Sequence, residues 1–155
     1  MTNLCILITM SKAARAIIIE NKKLLVMHRN KYGSKYFTLV GGRVNDDETI
    51  EQALVREIKE ETGLNITSYR LVFIEEHGDP YNEQYIYLCN VSPFESVAIQ
   101  ETSEENYMNR LDMNTHELIW VEASSFDKIP FRTIHLQNAI VAALEKNFPS
   151  EPMKL

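Results

Sequence analysis

Two runs of strand-forming residues, Ala13 to Glu20 and Lys23 to His28, are separated by the polar pair Asn21-Lys22, and this pattern predicts a β-hairpin. Tyr36 to Val40 reads as a short strand that delivers the chain to Gly41-Gly42. Two consecutive glycines permit backbone conformations and close approaches that side chains would prevent. The period then changes. From Ile50 the apolar residues Ile50, Ala53 and Leu54 fall on one face at about 100° per residue, the mark of a helix. Thr49 can cap that helix, Gln52 can complete a capping box, and Gly63 sits where a helix ends in a left-handed residue. Tyr69 to Glu76 and Glu83 to Val91 carry Leu71, Phe73, Tyr85 and Tyr87, with Gly78-Asp79-Pro80 turning between them, and predict a second hairpin.

Residues 92–115 lose periodicity, and a loop of that length in a compact domain is usually functional or disordered. Glu117 to Glu122, with Trp120, returns to a strand; from Arg132 the residues Ile134, Ile140, Val141, Leu144 and Phe148 recur at helical spacing, predicting a closing helix that ends near Pro149. With no internal repeat and no linker, this order predicts an α/β fold, a mixed sheet with helices on both faces.

At 155 residues the chain is read as one domain, 1–155, burying roughly 70% of the surface its unfolded form would expose. A net charge of −6 argues against binding long nucleic acid, which rests on clustered Lys and Arg. It does not exclude a small phosphate substrate, because carboxylates can hold such a substrate through metal ions. Cys5 and Cys89 form no zinc or disulfide framework, and a reducing cytoplasm is the expected location. Leu4 to Thr9 is too short for a membrane span, so residues 1–12 are read as an extra strand or a flexible arm, with Met1 and Met10 both open as the start. The chain is compatible with a homodimer, although nothing in the pattern sets the oligomeric state.

The carboxylates of the predicted helix change this picture. Glu57, Glu60 and Glu61 lie three and four apart, so they converge within one turn, and Glu57 and Glu61 project among the apolar positions. An ordinary salt-bridged helix face would set them opposite the apolar stripe with Lys or Arg four residues away. Only Arg56 and Lys59 are at hand, each adjacent in sequence to glutamates it is not expected to face. A hard divalent cation held by oxygen ligands, Mg²⁺ or alternatively Mn²⁺, accounts for the cluster better. Arg56 has the planar fork to orient one of the glutamates, and Glu48 is placed to support either Arg56 or the surroundings of the metal ligands. Neither a nucleophilic Ser or Cys setting nor a metal spacing among His28, His77, His116 and His135 is present.

Gly42, Glu48, Arg56, Glu57, Ile58, Glu60, Glu61, Gly63 and Leu64 together resemble the signature of the Nudix hydrolases and fill every specified place within residues 42–64. The resemblance implies an α/β/α sandwich and metal-dependent hydrolysis of a nucleoside diphosphate linked to another group X. It implies Glu57, Glu60 and Glu61 as metal ligands, with a carbonyl of the glycine pair, Gly41, as a further one. It also implies that a cation such as Arg29 at the end of its strand contacts substrate phosphate, against the competing account of an exposed edge charge. Tyr36, Phe37 and Tyr81 offer faces for stacking on a base, although most such rings belong to core or rim. Val40 stands where the family often has proline, a departure that touches loop rigidity. The general base stays open among the signature glutamates and the loop carboxylates Glu101, Glu104 and Glu105, each of which taken singly reads as a solvated charge. Pro80 and Tyr81 give contradictory indications of substrate, and the family's coenzyme A and NADH patterns are absent. The alternative is a Nudix-like domain that binds a nucleotide without cleaving it.

Overall fold

The computed structural model describes residues 11–76, 82–92 and 114–155. The expectations for Leu4 to Thr9, for the Gly78-Asp79-Pro80 turn, for Tyr81 and for the acidic loop from 93 to 113 lie outside the described residues.

The first hairpin joins β1 (Lys12–Glu20) to β2 (Lys23–Lys31), with Ile19 opposite Leu24. Asn21 and Lys22 both have positive φ, 50° and 63°, the backbone of a two-residue turn whose twist matches that of the strands. A second turn of this kind was not legible beforehand. Tyr32 and Gly33, with φ 51° and 90°, connect β2 to β3 (Ser34–Arg43), and the Asn30 side chain accepts the Gly33 N–H.

β3 outruns the predicted Tyr36–Val40 at both ends and passes through the glycine pair. The reason is pairing on two sides: its first half lies against β2, with Leu39 opposite Val26, and its second half against β1, with Val40 opposite Ala16. The second predicted hairpin forms from β4 (Ile66–Glu76) and β5 (Glu83–Val91), and β5 runs parallel to β1. β6 (Asn114–Glu122) pairs with β2 along its whole length and begins inside the span read as loop, because Asn114 and Thr115 continue that ladder opposite Lys31 and Asn30. A 3-10 turn over Ala123–Lys128 and a two-residue strand β7 (Met153–Lys154) carried no sequence signal. The sheet order is β6-β2-β3-β1-β5-β4-β7.

Strand alternation sorts the core into two layers. Ala14, Ala16, Ile18, Leu25 and Val40 pack with Ala53, Leu54 and Ile58 of α1 (Ile50–Thr62). Ile17, Leu24, Val26 and Leu39 pack with Leu136, Ile140 and Ala143 of α2 (Ile134–Lys146). Among the described residues a mixed seven-stranded sheet carries a helix on each face, the expected α/β/α sandwich. None of the described helices is long and apolar enough to cross a membrane.

The helix that carries the acidic cluster is fixed at both ends. Thr49 Oγ1 accepts the Gln52 N–H at 3.1 Å and Gln52 Oε1 accepts the Thr49 N–H at 2.9 Å, closing the capping box. Gly63, at φ 78°, donates its N–H to the Lys59 carbonyl. Thr49→Ala removes one of these partners and should cost about 1 kcal/mol in urea unfolding. An unchanged midpoint would show that packing alone holds α1.

Candidate active site

The site is built where α1 crosses the end of β3. Gly41 has φ +132°, and a Cβ there would fall on the Ala14 carbonyl, so the strand needs glycine at this point. At Gly42 a Cβ would stand 2.5–2.8 Å from the three carboxyl atoms of Glu57. The helix therefore lies close enough for the Glu57 carboxylate to rest on bare backbone. One turn later Glu61 is buried, with 3% of its surface exposed, and its Oε2 accepts the Gly41 N–H at 2.7 Å. Glu60 is the outermost of the three, its side chain 42% exposed. The i, i+3, i+4 spacing thus produces one glutamate against Gly42, one against Gly41 and one facing water.

Arg56 ties the cluster together. Its Nε and Nη2 bond the two oxygens of Glu48 at 3.0 and 2.6 Å, and Nη2 also reaches the Arg43 carbonyl. Its Nη1 bonds Glu57 at 2.8 Å and Glu60 at 3.3 Å. Here the structure corrects the sequence reading, in which Arg56 was not expected to face the adjacent glutamate. Cα–Cβ vectors of neighbouring helical residues diverge, but the long arginine side chain folds back over its own turn. Lys59 stays out of the cluster and donates to the Gly63 carbonyl. The Arg56 hydrogen bond holds the Glu48 carboxyl below its ordinary pKa, and the same bond raises that of the guanidinium. Glu48 is anchored in turn by the Asn45 N–H at 2.9 Å.

As the side chains lie, no three Asp, Glu, His or Cys groups among the described residues form a ready-made metal site. The donors nevertheless suit a hard cation. Glu57 and Glu60 converge on a single positive nitrogen, Arg56 Nη1, while the rest of that guanidinium stays bound to Glu48. The point at which two carboxylates meet is thus already a cation site, filled by the protein's own charge. Gly41, the further candidate ligand, has its carbonyl oxygen engaged by Arg15 Nη1 at 2.9 Å.

The residues proposed for substrate divide between the two faces. Arg29 and Tyr36 are cross-strand partners, with the Arg29 guanidinium 5.9 Å from the Tyr36 ring centroid and bonded to Asn114 at 2.9 Å. Arg132, which the sequence did not single out, stacks on the same ring at 3.8 Å. Phe37 is the next residue on the strand, and alternation turns it to the α2 layer, where it packs with the core and contacts the His28 ring at 4.7 Å. Tyr36 and Phe37 therefore do not form one platform. Burial pushes the Cys89 thiol up to about 12, so it carries no nucleophilic thiolate near neutrality.

The NUDIX domain family model matches residues 10–139. An ADP-ribose pyrophosphatase from Methanocaldococcus jannaschii is 53% identical over 94 residues, covering 58% of this chain and 56% of that protein. An RNA pyrophosphohydrolase from Pasteurella multocida is 36% identical over 61 residues, covering 39% of this chain and 31% of that protein. The chain thus spans about a third to about half the length of these curated relatives. Among solved structures, the E. coli ORF135 protein superposes with a TM-score of 0.66 at 24% identity, covering 92% of this chain and 95% of the other, a likeness of fold.

Proposed function

Because the chain belongs to the Nudix family, we propose that it hydrolyses a phosphoanhydride bond in a nucleoside diphosphate linked to a second group, using Mg²⁺ with Mn²⁺ as an alternative. The observation that carries the reading is the seating of Glu57 against Gly42 and of Glu61 against Gly41, with Glu60 on the same turn of α1 sharing Arg56 with Glu57. Glu57, Glu60 and Glu61 would hold the cation, which when bound supplies charge neutralisation on phosphate oxygens and acidifies a bound water. Arg56 fixes the first two carboxylates through one nitrogen and is itself fixed by Glu48. Glu61 is oriented by the Gly41 amide. Glu60, open to solvent, is the carboxylate a water reaches first. Arg29 and Tyr36 offer a cation and a ring to the remainder of the nucleotide.

The expected test reaction is ADP-ribose with Mg²⁺, chosen because the relative from Methanocaldococcus jannaschii carries that activity in its name. Nucleoside triphosphates and dinucleotides are the comparison substrates. Products should be a nucleoside monophosphate plus phosphorylated X, or pyrophosphate from a triphosphate. In ¹⁸O-water, label should enter one phosphorus of the cleaved anhydride. Orthophosphate released from a monoester as the main product, or a trapped phosphoenzyme, would overturn the reading.

One observation favours the second reading, a domain that binds nucleotide without cleavage: Arg56 already neutralises the point where Glu57 and Glu60 meet. The two readings separate by calorimetry. The hydrolase reading expects Mg²⁺ to raise the melting temperature, by the equivalent of about 2.7 kcal/mol at a hundredfold excess over its dissociation constant. A melting curve indifferent to millimolar Mg²⁺ and to chelator would favour the sensor.

A further inference from the structure

Arg15 is an anomaly in its strand. It interrupts the apolar run of β1 on the face opposite the glutamates, where its neighbours Ala13 and Ile17 are fully buried. Its guanidinium is directed at the glycine end of β3: Nη1 bonds the Gly41 carbonyl at 2.9 Å and approaches the Leu39 carbonyl at 3.4 Å. It thereby spans the carbonyls on either side of the stretch whose amide, Gly41 N–H, holds Glu61 from the other face of the sheet. Gly41 is pinned by a carboxylate at its nitrogen and by a guanidinium at its oxygen, both charge-assisted bonds of the stronger kind.

Arg15 is held in turn. Its Nε bonds Gln84 Oε1 at 3.0 Å, Gln84 Nε2 donates to Glu75 Oε1 at 3.3 Å, and the other Glu75 oxygen accepts the Thr133 hydroxyl. Gln84 and Glu75 are 7% and 4% exposed, so this is a buried chain in which a missing member leaves polar atoms without water to turn to. Thr133 caps α2 through the Leu136 N–H. A line of hydrogen bonds therefore runs from the start of α2, beneath the sheet, to the Gly41 carbonyl, and the covalent backbone of Gly41 links it to the amide that holds the Glu61 carboxylate on α1.

We propose that Arg15 is a positioning residue: through the Gly41 backbone it sets the direction of the amide that orients Glu61, and the Gln84-Glu75-Thr133 chain holds it in place. The catalytic consequence rests on the proposed hydrolase reading, whereas the structural coupling does not. A strand end that relaxes by a fraction of an ångström leaves the fold intact but moves the carboxylate, and misplacements of that order are costly for chemistry.

The experiment compares Arg15→Met, Arg15→Lys and Gln84→Met with wild type, and with Asn90→Ala, which removes an exposed bond to Ser68 at the far end of β5. Three quantities are read: the Gly41 amide resonance in ¹H–¹⁵N spectra, kcat and KM for ADP-ribose with Mg²⁺, and the melting temperature. In Arg15→Met the Gly41 amide proton should move upfield as its bond to Glu61 loosens, with kcat down about tenfold and KM within about twofold. Arg15→Lys, keeping one cationic donor, should recover part of both effects, and Asn90→Ala should show neither. Should Arg15→Met fail to fold, Arg15→Lys and Gln84→Met should still show the amide shift in smaller measure. A lower melting temperature with an unmoved Gly41 amide and unchanged kcat would reduce Arg15 to packing and overturn the proposal. Should wild type not hydrolyse ADP-ribose, the substrate assignment fails, and the amide shift alone decides the role of Arg15.

Discussion

Glu61→Gln and Glu60→Gln should each lower turnover by on the order of 10² or more with the fold intact, because on the proposed reading each removes a charged metal ligand while keeping side-chain volume. The two positions differ in surroundings. Glu61 is buried against the Gly41 amide, and glutamine there can still accept that bond through its carbonyl oxygen, so backbone geometry survives while the charge is lost. Glu60 is partly exposed and shares Arg56 Nη1 with Glu57, so its neutral form releases part of the hold on Arg56 without disturbing the core. The check is kcat at saturating Mg²⁺ alongside circular dichroism and thermal melting. Near-normal turnover in both variants would remove these glutamates from the metal.

The elements that sequence predicts well are those whose signals are local. The capping box at Thr49, the left-handed end at Gly63 and the Asn21-Lys22 turn depend on residues within a few positions of one another, and each forms. The extents of β3 and β6 depend instead on partners far away in the chain. Nothing within Gly41-Gly42-Arg43 announces a strand; Ala13, Ala14 and Arg15 of the neighbouring β1 supply the ladder.

The same distinction runs through the site. The placing of Glu57, Glu60 and Glu61 on one turn of α1 was legible because helical spacing is local, whereas their separate seats and the reach of Arg56 to its own neighbour depend on rotamers and strand contacts that spacing does not encode. Tyr36 and Phe37 both offer a ring for stacking on a base, but strand alternation turns them to opposite faces of β3. Arg15 did leave a trace, a cation between Ala14 and Ala16 in an apolar run, but its partners Gln84 and Glu75 come from strands that only the β1–β5 and β4–β5 pairings bring together.

The two glycines, identical in sequence, should respond oppositely to alanine. At Gly41 the added methyl would meet backbone, the Ala14 carbonyl and the Arg15 Cα, at a φ that side chains rarely adopt. Backbone cannot step aside, so Gly41→Ala should destabilise by roughly 2–5 kcal/mol and lose activity mainly because less enzyme is folded. At Gly42 the methyl would meet only the far end of Glu57, 2.5–2.8 Å away. That side chain can rotate, so Gly42→Ala should melt close to wild type. The carboxylate, however, must leave its seat on the backbone, and Arg56 Nη1 must follow it or give it up. A displacement of about an ångström at that position should cost on the order of 10² in kcat. Urea unfolding and kcat per folded molecule, measured on both variants, decide the matter. If Gly42→Ala keeps full turnover, the seat of Glu57 is incidental to the chemistry, and if Gly41→Ala is as stable as wild type, the close approach of β1 to the glycine pair is not what sets this end of β3.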